Sequence, residues 1–431
     1  MERRQFLGTI ATAAGVARVG LDVPAAAGIT EVRNAFPALS QRINGHPLVY
    51  LDSAATTLRP NPVIDAVAQY YRTENANPSG TLHTLARRSA AAQDEARRAV
   101  ASFIGARDPL EVVFTRGTTE GINLVASTWG AVNVRPNDEI LIGISEHTSN
   151  LLPWRALARR NAARLVTFPV DADGRVNPDE VASRVTERTR IVAFSHVSNV
   201  LGMVNPAARL CDAARGPGRI VVLDAAQSAP HLPLDVQTLG CDFMAFSSHK
   251  MLGPMGVGVL WGRRTLLDAM PPYQFGSNMA HEVDFDGEHV SEGALKFGAG
   301  SPNVSGPVGL AAAIRFLQSI RTDTLAAYER SITEQMMDGL RRIPRLQVLG
   351  DADPAARVGV FAFSVEGVPP GRLAAGLDGA GVAIRAGDLA ALPLLRHFGM
   401  AAAARASCYV YTSSDDVDRF LAALVRTIRS G

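Results

Sequence analysis

Hydrophobic positions in the middle of the chain fall in short unbroken runs instead of alternating with polar ones. Glu111–Thr115, Glu139–Ile144, Arg164–Val170, Ile191–His196, Ile220–Asp224, Phe243–Ser247 and Val257–Trp261 each centre on such a run. Runs of this kind read as strands buried on both faces, as in parallel sheets. Helical stretches separate most of them. The alternation predicts an α/β fold, with a mostly parallel seven-stranded sheet covered by helices on both faces.

Upstream, a short helix and turn run from Glu31 to Pro47, and Leu48–Leu51, closed by Asp52, reads as a first short strand. Asn61-Pro62 opens an amphipathic helix to about Arg72, with proline in the first turn, where its missing N–H costs nothing. Ala86–Phe103 is a second helix, with Asp94 and Arg98 at i,i+4 spacing on a solvated face. Past Pro307 the texture changes. A helix over Val308–Ile320 leads into another, and short strands near Val358–Val365, Val382–Arg385 and Ala406–Tyr411 alternate with helices. The expected organisation is a segment 29–47 packing with the small domain, a large domain 48–306, and a smaller α+β domain 307–431.

Residues 1–28 read as separate from the fold. Arg3-Arg4-Gln5-Phe6-Leu7 precedes an uncharged stretch, Gly8–Ala17, and Ala25-Ala26-Ala27 supplies small residues. A charged start, a short apolar region and an A-x-A site describe a signal peptide, and the arginine pair followed by Phe-Leu looks like a twin-arginine signal. The expected destination is periplasmic or extracellular, with a cytoplasmic location as the alternative. The stretch is too short for a spanning helix.

Length and apolar content predict more than one domain in 431 residues. The net charge of +2, without a basic block, implies no nucleic-acid partner. Cys211, Cys241 and Cys408 are too few and too scattered for a disulfide framework or zinc site. Lysine use is more informative. Of 43 Lys+Arg only Lys250 and Lys296 are lysines. Arginine cannot replace a Schiff-base lysine, because its guanidinium stays protonated.

Lys250 closes Ser247-Ser248-His249-Lys250 after one strand, and Asp224 closes the strand before it. An acid and a lysine at neighbouring strand ends suit a lysine in Schiff-base linkage to pyridoxal phosphate (PLP), with the acid holding the protonated ring nitrogen. Arg116-Gly117-Thr118-Thr119-Glu120 links a strand to a helix, where free N–H groups, the helix dipole and two hydroxyls make an anion site. His147 stands at a strand's carboxyl end, where it can stack on a planar ring. Asn199 and Gln227 can reach a ring hydroxyl, and Ser247 and His249 can donate to a phosphate.

From about Ile29 onward the chain resembles the class V aminotransferase family of fold-type I PLP enzymes, and within it the group II, Suf-type cysteine desulfurases. YLDSAATT, FTRGTTEGINLVA, EH-x-x-N-x-x-PW, SHVSNVLG, DAAQ, the CDF…S-x-HK-x-x-GP run and GAGSPN carry the likeness. The resemblance implies Lys250 as the Schiff-base lysine, Asp224 as the pyridinium partner and His147 as the stacking ring. It implies Thr118, Thr119, Ser247 and His249 at the phosphate, and Asn199 and Gln227 at the cofactor. Ser301, where the family usually has threonine, would reach the phosphate of a partner subunit in a homodimer. Arg405 would bind the substrate α-carboxylate, a task that suits a bidentate guanidinium, and Arg385 is the second substrate-binding candidate.

One departure governs the expected chemistry. The family's nucleophilic cysteine lies in a loop R-x-G-H-H-C-A-x-P-L, and here Arg385–Leu394 aligns without a gap and places Ala390 at the cysteine. Thr148 replaces the second histidine of the family's EHH motif. An alanine has no thiolate to accept sulfur. The expectation is a PLP enzyme acting on an α-amino acid without a protein thiol, a C–S or other β-lyase. The alternatives are an aminotransferase or epimerase, a desulfurase using another thiol, and a non-catalytic PLP-binding module.

Overall fold

The computed structural model describes residues 29–430 other than 81, 321 and 352. The expected leader, residues 1–28, lies outside the described residues.

After a short strand β1 (Val49–Tyr50), the central sheet is built from β2 (Val112–Thr115), β3 (Glu139–Gly143), β4 (Arg164–Phe168), β5 (Thr189–Ser195), β6 (Ile220–Asp224), β7 (Phe243–Ser247) and β8 (Gly258–Gly262). Their order is β2-β8-β7-β6-β5-β3-β4. β3 to β7 run parallel, and β8 runs antiparallel to both of its neighbours. β3, β6 and β7 are buried along their whole length, which is why their sequences are apolar without alternation. One apolar core lies on each face of the sheet. The helix Ser305–Ser319 closes one of them and packs on the helices Asn61–Thr73 and Thr84–Phe103.

A second sheet, β9 (Leu346–Val348), β10 (Val360–Val365), β12 (Arg385–Gly387) and β13 (Ala403–Ser407), has the order β9-β10-β13-β12 and is antiparallel. β11 (Val382–Ala383) pairs in parallel with β1 instead. Residues 48–51, expected with the large domain, therefore join the small unit: Val49 and Leu51 sit in its core with Phe361, Phe363 and Phe420. The segment ahead of β1 follows. Arg33 pairs with Asp416 at 2.6 Å in the helix Ser414–Arg429, and Phe36 packs edge-on against Phe316 and Tyr411.

Other differences from the sequence reading have local causes. β13 lies earlier than Ala406–Tyr411, because Ala401–Arg405 is helix-prone by composition and only pairing with β10 makes it a strand. Arg98 pairs with Glu95 at 3.1 Å rather than with Asp94. Glu111, the first residue of the Glu111–Thr115 run, ends a 3₁₀ turn (Pro109–Glu111) capped by Asp108, so β2 begins at Val112. Among the described residues no helix is long and apolar enough to cross a membrane.

Candidate active site

The carboxyl ends of β2, β3, β5, β6 and β7 open on one edge of the central sheet, where open α/β sheets hold ligands. Asp224 ends β6 and Ala245 of β7 lies opposite it, so Lys250, just past β7, comes close enough for the two charges to act on each other. Both are enclosed. Burial, aided by Arg405 and Arg385, pulls the Lys250 ammonium down to about 8 against the opposing pull of Asp224. Burial raises the Asp224 carboxyl, while the Ala226 N–H at 2.9 Å and Lys250 hold it down. A lysine so tuned can give up and take back a proton near neutral pH.

The turn after β2 is built for an anion. Thr118 N–H donates to Ser247 Oγ at 2.8 Å and the two hydroxyls lie 2.7 Å apart. Gly258 must be glycine for this turn to pack, since a Cβ there would lie 2.4 Å from Gly117 Cα. His249 Nδ1 is buried without a partner. Burial, Lys250 and Arg59 hold the His249 imidazole at about 4, so it is neutral. Two paired hydroxyls at a helix N-terminus, with an orphaned nitrogen two residues past Ser247, fit the phosphate of PLP. Thr119 stands further out, its hydroxyl on Ser149 Oγ at 2.8 Å.

His147 caps a short turn, its Nδ1 accepting Ser149 N–H at 3.0 Å. Burial first, then Lys250 and Arg405, lowers it to about 4, which leaves a neutral ring for stacking. Beneath it Glu146 is fully buried, accepting Asn150 Nδ2 at 2.6 Å and Ser195 N–H at 3.1 Å, while Trp154 donates to Asn150 Oδ1 at 2.9 Å. That network is the physical content of the EH-x-x-N-x-x-PW motif. It fastens the His147 turn to the end of β5.

Asn199 and Gln227 differ from the expectation in one respect. Each already donates to main chain, Asn199 to Leu389 O at 2.9 Å and Gln227 to Ala54 O at 2.7 Å, leaving a second amide proton apiece for a ligand. Ser301 is exposed and accepts Asn77 Nδ2 at 3.2 Å. Among the described residues no hydrogen bond ties it to Thr118, Ser247 or His249 of its own chain.

Arg405 is 3 % exposed and donates through Nη1 to Asn199 O at 2.8 Å and through Nη2 to Asp52 Oδ1 at 3.3 Å. Its Nε is buried without a partner. Arg385, expected at the substrate, turns Nε and Nη2 onto Asp52, the closest contact being 2.9 Å. The sequence reading gave Asp52 no role beyond ending a strand. Nor did it assign Thr56 and Thr57, whose hydroxyls, with the Thr57 N–H, donate to His249 O at 2.9–3.1 Å and so hold the turn that carries Lys250. The YLDSAATT motif was the available signal for all three.

The loop 385–394 lies against this site. Thr148 N–H donates to Ala390 O at 2.8 Å, and Asp388 Oδ1 accepts Ala390 N–H at 3.0 Å. Leu389 and Ala390 have φ of 52° and 53°, a left-handed pair that costs roughly 1–2 kcal/mol per residue. Two hydrogen bonds worth about 1 kcal/mol each offset much of that. Burial of Leu389, Ala391, Leu394 and Leu395 supplies the rest.

Lys296, the second lysine, is elsewhere. Its Nζ donates to Asp268 O at 2.8 Å and Met270 O at 3.1 Å, closing the end of the helix Arg264–Ala269.

The class-V aminotransferase family model matches residues 49–420. A probable cysteine desulfurase of Halalkalibacterium halodurans is 42% identical over 400 residues, covering 92% of this chain and 97% of its own. A cysteine desulfurase of Pectobacterium atrosepticum is 40% identical over 402 residues, covering 93% and 98%. Among solved structures, the Escherichia coli cysteine desulfurase CsdA superposes with a TM-score of 0.86 at 36% identity, covering 94% of this chain and 99% of that one.

Proposed function

The chain belongs to the class-V aminotransferase family of PLP-dependent enzymes, and on that premise we propose that it acts on a cysteine-like α-amino acid as a C–S or other β-lyase that keeps no sulfur on the protein. When bound, PLP supplies the electron sink for the pair released at Cα. Thr118, Ser247 and His249 would hold its phosphate, Asp224 would pair with its ring nitrogen, and His147 would cover its face. Arg405 receives the α-carboxylate, which fixes the Cα–H bond toward Lys250. Lys250 takes that proton. With that chemistry supplied, the overall reaction would break the C–S bond with its electron pair on sulfur and, with one water, give a 2-oxo acid, ammonia and sulfide.

The observation that carries this reading is the state of the three thiols, set beside alanine at 390. All three are buried. Burial pushes Cys211 up to about 12 and raises Cys241 and Cys408 well above the ordinary thiol range, so none offers a thiolate near neutral pH. The names of the relatives support cysteine as the substrate chemistry.

Incubated with cysteine, the native protein should release sulfide and carry no persulfide, and Cys408→Ser should turn over within a few-fold of wild type. Peptide mass spectrometry without reductant reads the first, a sulfide assay the second. A persulfide on Cys408 would return the chain to the desulfurases.

Exposed Ser301 completes the phosphate site of a second copy, giving an isologous homodimer with shared sites. Sedimentation of the active enzyme should give the dimer mass, and a fully active monomer would refute this. The leader sends the folded protein out by the twin-arginine route. A reporter fused after Ala27 should be exported, and Arg3→Lys with Arg4→Lys should retain it. Equal behaviour of the two fusions would remove the signal.

A further inference from the structure

The contacts of Asp52 bear on which amino acids the site accepts. Its main chain is fixed beside Arg405: Asp52 and Ser407 form a parallel bridge, Ser407 N–H donates to Leu51 O at 2.7 Å, and Ala54 N–H donates to Ser407 Oγ at 2.9 Å. That bridge fixes the Asp52 backbone, and the contacts with the two arginines hold its carboxylate. Its two oxygens meet both guanidiniums, Oδ1 on Arg405 Nη2 at 3.3 Å and Oδ2 on Arg385 Nη2 at 2.9 Å, with Arg385 Nε at 3.2 Å and 3.3 Å from Oδ1 and Oδ2. Arg385 therefore offers Asp52 a two-pronged edge, the geometry with which arginine takes a carboxylate. Arg405 gives it a single longer contact and keeps Nε without a partner.

Among the other groups around the pair, Arg59 also acts on Tyr50 and spends its guanidinium on Thr56 and Thr57. Tyr50 is pushed up to about 12 by burial and Asp52, so it is uncharged. Lys250 and Asp224 face each other further along the sheet edge. Asp388, on the loop, is exposed and adds a negative charge on the side of His147. Asp52 is shared by two guanidiniums, held bidentately by Arg385 and through one longer contact by Arg405, so the buried Arg405 is the less compensated of the two.

We propose that Asp52 sets the charge of the accepted substrate: by occupying Arg385 it leaves Arg405 as the less compensated of the two guanidiniums, so the site takes amino acids with a single carboxylate and an uncharged side chain. A second carboxylate on the substrate finds Arg385 already engaged and meets Asp52 and Asp388 as like charges. This inference rests on the reading that Arg405 receives the α-carboxylate.

The test is a binding measurement on the PLP-loaded enzyme at pH 7.5, by calorimetry with alanine and with aspartate. Wild type should bind alanine more tightly than aspartate. Asp52→Asn frees Arg385 and should move the aspartate-to-alanine affinity ratio toward aspartate by about tenfold or more. Arg385→Gln leaves Asp52 uncompensated beside Arg405 and should weaken alanine by about tenfold. The double variant Asp52→Asn/Arg385→Gln should return to the wild-type preference, since Arg405 is again the guanidinium left to a carboxylate. An unchanged ratio in Asp52→Asn, with alanine still bound, overturns the proposal. Should that variant not fold, unchanged alanine affinity in Arg385→Gln overturns it equally. Failure of wild type to bind any amino acid would instead overturn the role of Arg405 itself.

Discussion

Lys250→Ala is expected to lower turnover at least ~10³-fold, because one substitution removes both the covalent attachment of PLP and the base that takes the Cα proton. The visible band of lysine-linked PLP should vanish, and borohydride reduction followed by mass spectrometry should find no labelled peptide. No other residue can inherit the role. Lys296 spends its Nζ on the carbonyls of Asp268 and Met270, at the far end of a helix from this chemistry. The substitution should leave the fold intact, since Thr56 and Thr57 hold the turn through the His249 carbonyl and not through the lysine side chain. A labelled Lys296 in the variant would place the active lysine there and dissolve the site assembled around Asp224.

The second large effect belongs to Arg405. Arg405→Leu should raise KM for amino acids by about 10²–10³-fold, in line with the cost of removing one partner from a buried charge pair. An amine of the same shape without a carboxylate should bind the variant and wild type alike, which separates a lost carboxylate contact from a damaged site. Stability should fall as well. The Asn199 carbonyl and Asp52 each lose a buried donor, worth roughly 1–3 kcal/mol apiece. Steady-state kinetics and thermal unfolding read the two effects independently. Unaltered KM for the amino acid would mean that the carboxylate docks elsewhere.

Much of the large sheet was legible because its signal is local. Ile220–Leu223 and Phe243–Phe246 are buried on both faces, and their sequences show it without alternation. Asp224, Lys250 and the Thr118 turn were legible because each follows such a strand. What the sequence hid depends on pairing between distant segments. Val49–Tyr50 reads as a strand but not as the neighbour of Val382–Ala383. Ala403–Ser407 is strand only because Val360–Phe363 lies beside it. Asp52 looked like a strand terminator, and only the fold brings it between two arginines 333 and 353 positions away. The sequence marked Arg385 as a substrate-site arginine from its loop alone, and its engagement by Asp52 was not visible there.

The pairing of β1 with β11, and of Asp52 with Arg405, also sets a timetable for the chain as it leaves the ribosome. The central sheet can assemble once the segment through Gly262 has emerged. Val49 and Leu51, made early, must wait unpaired for partners such as Phe363 and Phe420, made near the end. Contacts of such long sequence separation close late. The carboxylate pocket therefore comes into being after the cofactor pocket, in the final moments of synthesis, and a nascent chain halted short of β13 has the lysine but nowhere to seat an amino acid.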